Sequence, residues 1–320
     1  MRAVVIDRYG DPSGMLVVER GEPDLEATQV LVRTEAIGVG GVDAVIRRGT
    51  IGSGFPRGMV PGSEVAGTVV AVGADVDAAL VGRRVWAFTG TSGGYAEYAA
   101  AYEDDVTPIP DGLSAVDAVT VGSAATVAHF ALAHAHLSAG DALLVRGGAG
   151  SIGIAAIELA ASAGATTIAA TASSAERAHR LRGFGATHTL DRSGRGDDTA
   201  TAGFDVIVDI VGGPDMPSFI DLLRPNGRYL LVGAVAGYPP PDFGQVLLRS
   251  FQKSRSVATF SLDSIPKPER NRTREELFGR AARGEISAVV HNVLRLSEAA
   301  EAHRSMDAGS VLGRYVLVPD

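Results

Sequence analysis

The chain has 320 residues, with 29 Lys and Arg against 37 Asp and Glu, a net charge of −8 and no cysteine. That length supports two domains with separate cores. The acidic balance, with no basic cluster interleaved with aromatics, argues against a nucleic-acid surface. The lack of cysteine excludes disulfides, a thiolate nucleophile and a cysteine-based metal site.

The N-terminus, MRAVVIDRYG, lacks the apolar core of a signal peptide and reads as a strand. To about residue 112 the chain is β-rich, with short apolar runs at 4–7, 29–37, 67–73, 84–88 and 96–100 between Gly, Pro and Asp turns. Pro108-Ile109-Pro110-Asp111-Gly112 makes a break. Residues 115–137 have helical composition, with an interruption expected near Gly122.

Residues 141–177 carry the most information. An apolar strand at 142–146 runs into GGAGSIG at 147–153, an Ala-rich helix follows to about Ala163, and a second apolar strand ends at Thr171. Strand, glycine turn, helix and strand form the unit that grips a dinucleotide. Gly148 is expected to allow the tight turn, Gly150 to let backbone N–H groups approach a pyrophosphate, and Gly153 to let helix pack on strand. The helix that starts there aims its positive end at the phosphates.

An NAD enzyme usually carries Asp or Glu at the end of the second strand to bind the ribose 2′-OH. Here Ser173 and Ser174 take that place, with Arg177 one helical turn on. Two hydroxyls and a guanidinium suit a 2′-phosphate, because Arg forms charge-assisted, often bidentate bonds to phosphate. The expected cofactor is therefore NADPH. Ser174 also reads as a helix N-cap, and Glu176 partly offsets the positive field.

Further strands are expected at 187–190, 204–210, 227–232 and 256–260, with helices at 175–183 and 216–223 between them. This alternation argues for an α/β fold with a doubly wound parallel sheet. A charged segment at 267–276 precedes a helix, and a strand at 313–318 closes the chain. No stretch makes a good membrane span: the longest weakly apolar one, 152–172, contains Glu158 and Gly164. A cytoplasmic location is expected.

Taken in order, VLVRTEAIGVGGVDAVIRRG (30–49), VPGSEVAGTVVAVG (60–73), GGYAEYA (93–99), IPDGLS (109–114), GGAGSIG and the ending GRYVLVP resemble the zinc-free quinone oxidoreductase branch of the medium-chain dehydrogenase/reductase superfamily. The resemblance implies a GroES-like β-rich substrate domain, residues 1–115 completed by 261–320, with a Rossmann NADP-binding domain at 116–260. It implies that Gly148, Ala149, Gly150, Ser151 and Ile152 line the phosphates, that Arg192 contacts the adenosine phosphate, and that Thr126, Gly212, Gly233 and Ala234 line the cofactor cleft. It also implies a homodimer paired through the edge of the Rossmann sheet, with 256–260 as the candidate edge strand.

Zinc-dependent relatives carry Cys in the segment matching 38–43 and His in a GHE motif. This chain reads Gly62-Ser63-Glu64 there, and its seven histidines offer no replacement site by spacing; His129, His134 and His136 read as a helix face. No metal is expected. Without zinc to polarise a ketone, the favoured acceptor is one already activated by conjugation, such as a quinone or enone, whose developing oxyanion a hydroxyl, a water or a backbone N–H can stabilise. The Asn and Tyr that often flank Asp43 in the family are absent. The catalytic candidates are Asp43, Ser63 and Thr126, each with a structural alternative: a buried hydrogen bond, filler for a lost ligand, and back-bonding within a helix. The leading expectation is an NADPH-dependent quinone reductase. The alternatives are an enone or enoyl-thioester reductase of a biosynthetic pathway and, in another class, a low-turnover NADPH-binding structural or regulatory protein.

Overall fold

The computed structural model describes residues 1–50, 54–196 and 203–320. The chain divides into two compact units, one formed by Met1–Ser123 with Pro266–Asp320 and the other by Ala124–Ile265.

The first unit is built from short β-branched runs punctuated by glycine and proline. It begins with β1 (Arg2–Ile6), β2 (Met15–Glu19), β3 (Gln29–Gly38), α1 (Gly41–Arg48), β4 (Glu64–Val72), β5 (Arg84–Phe88), β6 (Tyr98–Tyr102) and β7 (Val106–Pro108). Strands β1 and β2 pair antiparallel as a separate ribbon. The helix α1 lies in a stretch that periodicity alone does not mark. It has only eight residues between glycines, with Gly40 as N-cap and Gly49 closing it in the left-handed conformation at φ +69°.

Helix α2 (Ala115–His134) leads into the second unit. It runs through Gly122 without a break, contrary to the expected interruption. A Cβ on Gly122 would lie 2.4 Å from Trp86 Nε1, so the glycine serves close approach of an indole rather than termination. Among the described residues α2 is the one helix long and apolar enough to cross a membrane. Of its apolar window 72% is buried, which accounts for the composition by core packing.

In the second unit β8 (Ala142–Arg146), α3 (Ser151–Ser162), β9 (Thr167–Thr171), α4 (Ala175–Gly183), β10 (His188–Leu190), β11 (Phe204–Asp209), α5 (Met216–Ile220), β12 (Leu223–Leu231), α6 (Gln245–Arg249) and β13 (Ser256–Thr259) follow. The six strands make one sheet in the order β10-β9-β8-β11-β12-β13, parallel at every pairing. All five residues of β8 are buried, as expected for a strand covered on both faces. Two consecutive strand-helix-strand runs wound in opposite directions place a switch point between β8 and β11, where ligands of such sheets bind.

The chain then returns to the first unit with α7 (Lys267–Ala282), β14 (Val290–Arg295), α8 (Ala299–Asp307) and β15 (Arg314–Val318). The charged segment expected before a helix is itself the start of α7. Two of its charges face inward: Arg270 and Arg274 are buried, and the Arg274 guanidinium stacks 3.9 Å above the Trp86 ring centroid. The main sheet of this unit has the order β14-β15-β3-β4-β5-β7, with β6 on β3. Its core gathers Val30, Val32, Ile37, Val65, Val85, Tyr95 and Leu317. A second core, with Leu144, Phe204, Ile207, Phe219 and Tyr229, lies in the parallel-sheet unit.

Candidate functional site

Apart from Thr126 in α2, the nucleotide candidates of the second unit lie along one edge of its sheet, each in the loop or first helical turn after the C-terminal end of a strand. Arg192 follows β10, Ser173 to Arg177 follow β9, the glycine turn follows β8, Gly212 follows β11, and Gly233 and Ala234 follow β12. Hydrogen bonds tie these ends together. The Gly147 N–H donates to Thr171 Oγ1 at 2.9 Å, and the Ala172 N–H donates to the Leu190 carbonyl at 2.8 Å.

The glycine turn divides its work differently from the expectation. Gly147, at φ +92°, makes the tight turn. Gly148 instead permits close packing on β9, since a Cβ there would sit 2.9 Å from Ala170 Cβ. Gly153 seats the helix against the turn; its Cβ would be 2.4 Å from the Gly147 carbonyl oxygen. Gly150 is exposed, and its Cβ would meet nothing nearer than 3.8 Å. It caps α3 without any side-chain hydrogen bond. The helix therefore presents its first N–H groups, with Ala149, Ser151 and Ile152 half-buried around them. This is a cradle for an anion, open where a Cβ would stand.

Beyond β9, the Arg177 guanidinium donates to Ser173 Oγ, and Ser173 is exposed. Ser174 Oγ accepts from the Arg177 N–H at 3.3 Å as the N-cap of α4, so its oxygen is directed into the helix. Arg192 is exposed. Gly212, at φ +63°, meets the loop after β12: a Cβ on it would be 3.1 Å from Ala234 Cα and 3.2 Å from the Gly233 carbonyl. Thr126 is wholly buried in α2.

In the first unit, Asp43 is fully buried at the N-terminal end of α1. Its Oδ2 accepts from the Gly40 N–H at 2.8 Å and from the Tyr95 hydroxyl at 3.3 Å, while Oδ1 is buried without a hydrogen-bond partner. Burial pushes its carboxyl up to about 6. The Tyr95 hydroxyl also lies 3.1 Å from His303 Nε2, and Arg47 Nε donates to His303 Nδ1 at 3.4 Å. Arginine only donates, so Nδ1 accepts, Nε2 carries the proton and donates to Tyr95, and Tyr95 passes its own hydrogen to Asp43. Burial, and then the Arg47 charge, push the His303 imidazole down to about 3. Arg47 is itself pinned by Asp307 at 2.6 and 2.8 Å.

Ser63 is buried, and its carbonyl accepts from the Thr89 N–H at 2.9 Å. The neighbouring Glu64 is engaged on both oxygens. Its Oε2 accepts from Trp86 Nε1 at 2.7 Å and from the Ser123 N–H at 3.2 Å, and its Oε1 pairs with Arg314. Arg314 in turn lies against Gly38, where a Cβ would be 2.8 Å from the guanidinium carbon. Among the described residues no group of three or more His, Cys, Asp or Glu is arranged to hold a metal ion. Sequence reasoning missed Tyr95, His303, Arg47 and Arg314. Nothing local marked them: His303, for one, sits in AAEAHRSM among the polar Glu301, Arg304 and Ser305.

Residues 26–111 match the profile of the alcohol dehydrogenase GroES-like domain, and residues 151–275 match that of the zinc-binding dehydrogenase. A quinone oxidoreductase of Pseudomonas aeruginosa is 30% identical over 97% of each chain. A much longer protein, part of the phenolphthiocerol/phthiocerol polyketide synthase of Mycobacterium tuberculosis, is also 30% identical, over 98% of this chain and 14% of that protein. A mycobacterial protein solved in complex with NADPH superposes with a TM-score of 0.90 at 30% identity, covering all of both chains.

Proposed function

Since the chain belongs to the quinone oxidoreductase-like medium-chain dehydrogenases/reductases, we propose that it is an NADPH-dependent, zinc-independent oxidoreductase. Its substrate in this reading is a quinone or another carbonyl activated by conjugation. The observation that carries the reading is the pairing of Arg177 with Ser173 at the end of β9, beside an exposed Gly150 at the start of α3. The 2′-phosphate is held by the Arg177 guanidinium and the Ser173 hydroxyl, and the pyrophosphate by the N–H groups at the start of α3. The names of the relatives support it: a quinone oxidoreductase and a protein solved with NADPH.

Bound NADPH supplies a hydride, two electrons with one proton, and a further proton from solvent completes the hydroquinone. The donor set around Ser63 does not fit zinc. The position that carries His in zinc enzymes is a serine, cysteine is absent, and both oxygens of Glu64 are engaged. Asp43, buried and committed to Gly40 and Tyr95, is assigned to holding α1 rather than to catalysis. Ser63 and Thr126 remain the hydroxyl candidates.

Oxidation of NADPH and of NADH, followed by absorbance against a panel of quinones, 2-alkenals and enoyl thioesters, tests this. A quinone should be reduced with NADPH preferred at least about tenfold. Arg177→Ala should raise KM for NADPH by about ten- to a hundredfold and leave that for NADH nearly unchanged. A preference for NADH, or equal effects on both, would remove the 2′-phosphate contact. The match to a segment of a polyketide synthase favours an enoyl-thioester reductase as the second reading, with thioesters then the fastest acceptors. No turnover with any acceptor would leave a nucleotide-binding module.

The reading includes a cytoplasmic homodimer joined through β13, an edge strand. Near it in sequence, Leu248 and Phe251 are 71% and 73% exposed. Gel filtration at monomer mass would remove that part.

A further inference from the structure

Arg146, the last residue of β8, and Asp209, the last of β11, form an ion pair in which both side chains are almost wholly buried. Arg146 Nη1 donates to Asp209 Oδ2 at 3.0 Å and to the Gly212 carbonyl at 2.7 Å. Asp209 Oδ1 accepts from the Val211 N–H at 2.7 Å and the Gly212 N–H at 3.0 Å. The Tyr229 hydroxyl, from β12, donates to Asp209 Oδ2. Burial and the Asp209 carboxylate hold the Tyr229 phenol far above its ordinary range, so it stays a donor. Phe219 lies under the guanidinium, with its ring centroid 4.1 Å from Arg146 Cζ.

A buried pair of this kind is a poor source of stability, because desolvation offsets most of the attraction and apolar replacements often do as well. What it supplies here is geometry. The cluster grips both the N–H and the C=O of Gly212. The loop it holds is keyed to the next one, with the Ala236 N–H on the Val211 carbonyl at 2.8 Å and the Gly213 N–H on the Gly237 carbonyl at 3.0 Å. The ends of β11 and β12 thus carry one rigid backbone platform made of Gly212, Gly233 and Ala234.

The sheet order says what this platform faces. The 2′-phosphate site belongs to β9 and the pyrophosphate cradle to β8, so a dinucleotide stretched across the edge carries its other half over β11 and β12. We propose that Arg146, Asp209 and Tyr229 are positioning residues for the nicotinamide half of the cofactor, acting through the Gly212–Ala234 platform without touching the cofactor themselves. The inference rests on the nucleotide reading given above. Arg146 directly precedes Gly147, so one side chain joins the phosphate turn to the platform.

The test compares NADPH with 2′,5′-ADP, which carries only the adenosine half, by calorimetric dissociation constants for the wild type, Tyr229→Phe and Arg146→Met. Tyr229→Phe loses one oxygen and keeps its ring, so it decides the matter if Arg146→Met does not fold. NADPH should bind about five- to tenfold more weakly to the variants, while 2′,5′-ADP stays within about twofold of the wild type. Parallel weakening of both ligands, or unchanged NADPH affinity in folded Tyr229→Phe, overturns the positioning role alone. A wild type that does not bind 2′,5′-ADP overturns the nucleotide reading and this inference with it.

Discussion

Acid should destabilise the first unit through His303, and the size of the effect follows from its surroundings. The imidazole is held neutral between Arg47 and Tyr95 and falls from an ordinary 6.5 to about 3. Its folded pKa is depressed, so the native state binds fewer protons than the unfolded chain. The stability this contributes is complete above 6.5 and is lost as pH falls toward about 3. Each pH unit within that window costs about 1.4 kcal/mol, or about 2.7 kcal/mol over two units. His303→Gln removes the titration and keeps the pattern, since a Gln oxygen can accept from Arg47 Nε and its amide can donate to Tyr95. Urea denaturation followed by fluorescence suits the measurement, because the one tryptophan, Trp86, lies in the same unit. The wild type should lose stability relative to the variant at the stated slope below pH 6.5. Parallel curves for the two proteins would refute the neutral, singly protonated imidazole and the donor order deduced from it.

Asp43→Asn should show the opposite slope. The folded pKa of Asp43 is raised from 3.8 to about 6, so its contribution is full below 3.8 and is lost as pH rises through about 6. Relative to the Asn variant, the wild type should lose about 3 kcal/mol on going from acid to neutral pH; coincident curves would mean that the carboxyl is not desolvated. Gly122→Ala should destabilise by about 1–3 kcal/mol and shift the Trp86 emission, because the new methyl meets the indole. The gain of about 1 kcal/mol in helix propensity works the other way, and net stabilisation would show that the indole moves aside freely.

The parallel sheet was legible because its determinants are local. A strand apolar up to its final Arg146, four glycines and an N-capping serine each act within a few residues, so GGAGSIG and Ser174 announce their structure directly. Even there, which glycine takes the positive φ depends on packing against Ala170, and only the fold decides between Gly147 and Gly148. The polar clusters were illegible for the opposite reason. Asp43, Tyr95 and His303 come from α1, a loop and α8, and nothing near any one of them in sequence signals the other two. The charged start of α7 misled because Arg274 is buried against Trp86, a partner that composition cannot reveal. The absence of an acidic residue after β9 was visible at once. The hydrogen bond from Arg177 to Ser173 that gives that absence its meaning required the turn of α4.

One property of the first unit bears on how the chain comes to be folded at all. Its main sheet places β15 between β14 and β3, with Val316 opposite Gly38, so an interior strand is supplied from far along the polypeptide. During synthesis the parallel-sheet unit, residues 124–265, emerges complete and can fold as its residues leave the ribosome. On the edge of the earlier-made β3 that receives β15, residues 29–33 pair with β6, but its end at Ile37 and Gly38 must wait unpaired until residues 314–318 have been added. Closing so long a loop is slow, and an exposed strand edge is a template for pairing with other chains. The nascent protein is therefore most vulnerable to aggregation late in its synthesis, in the half that was made first.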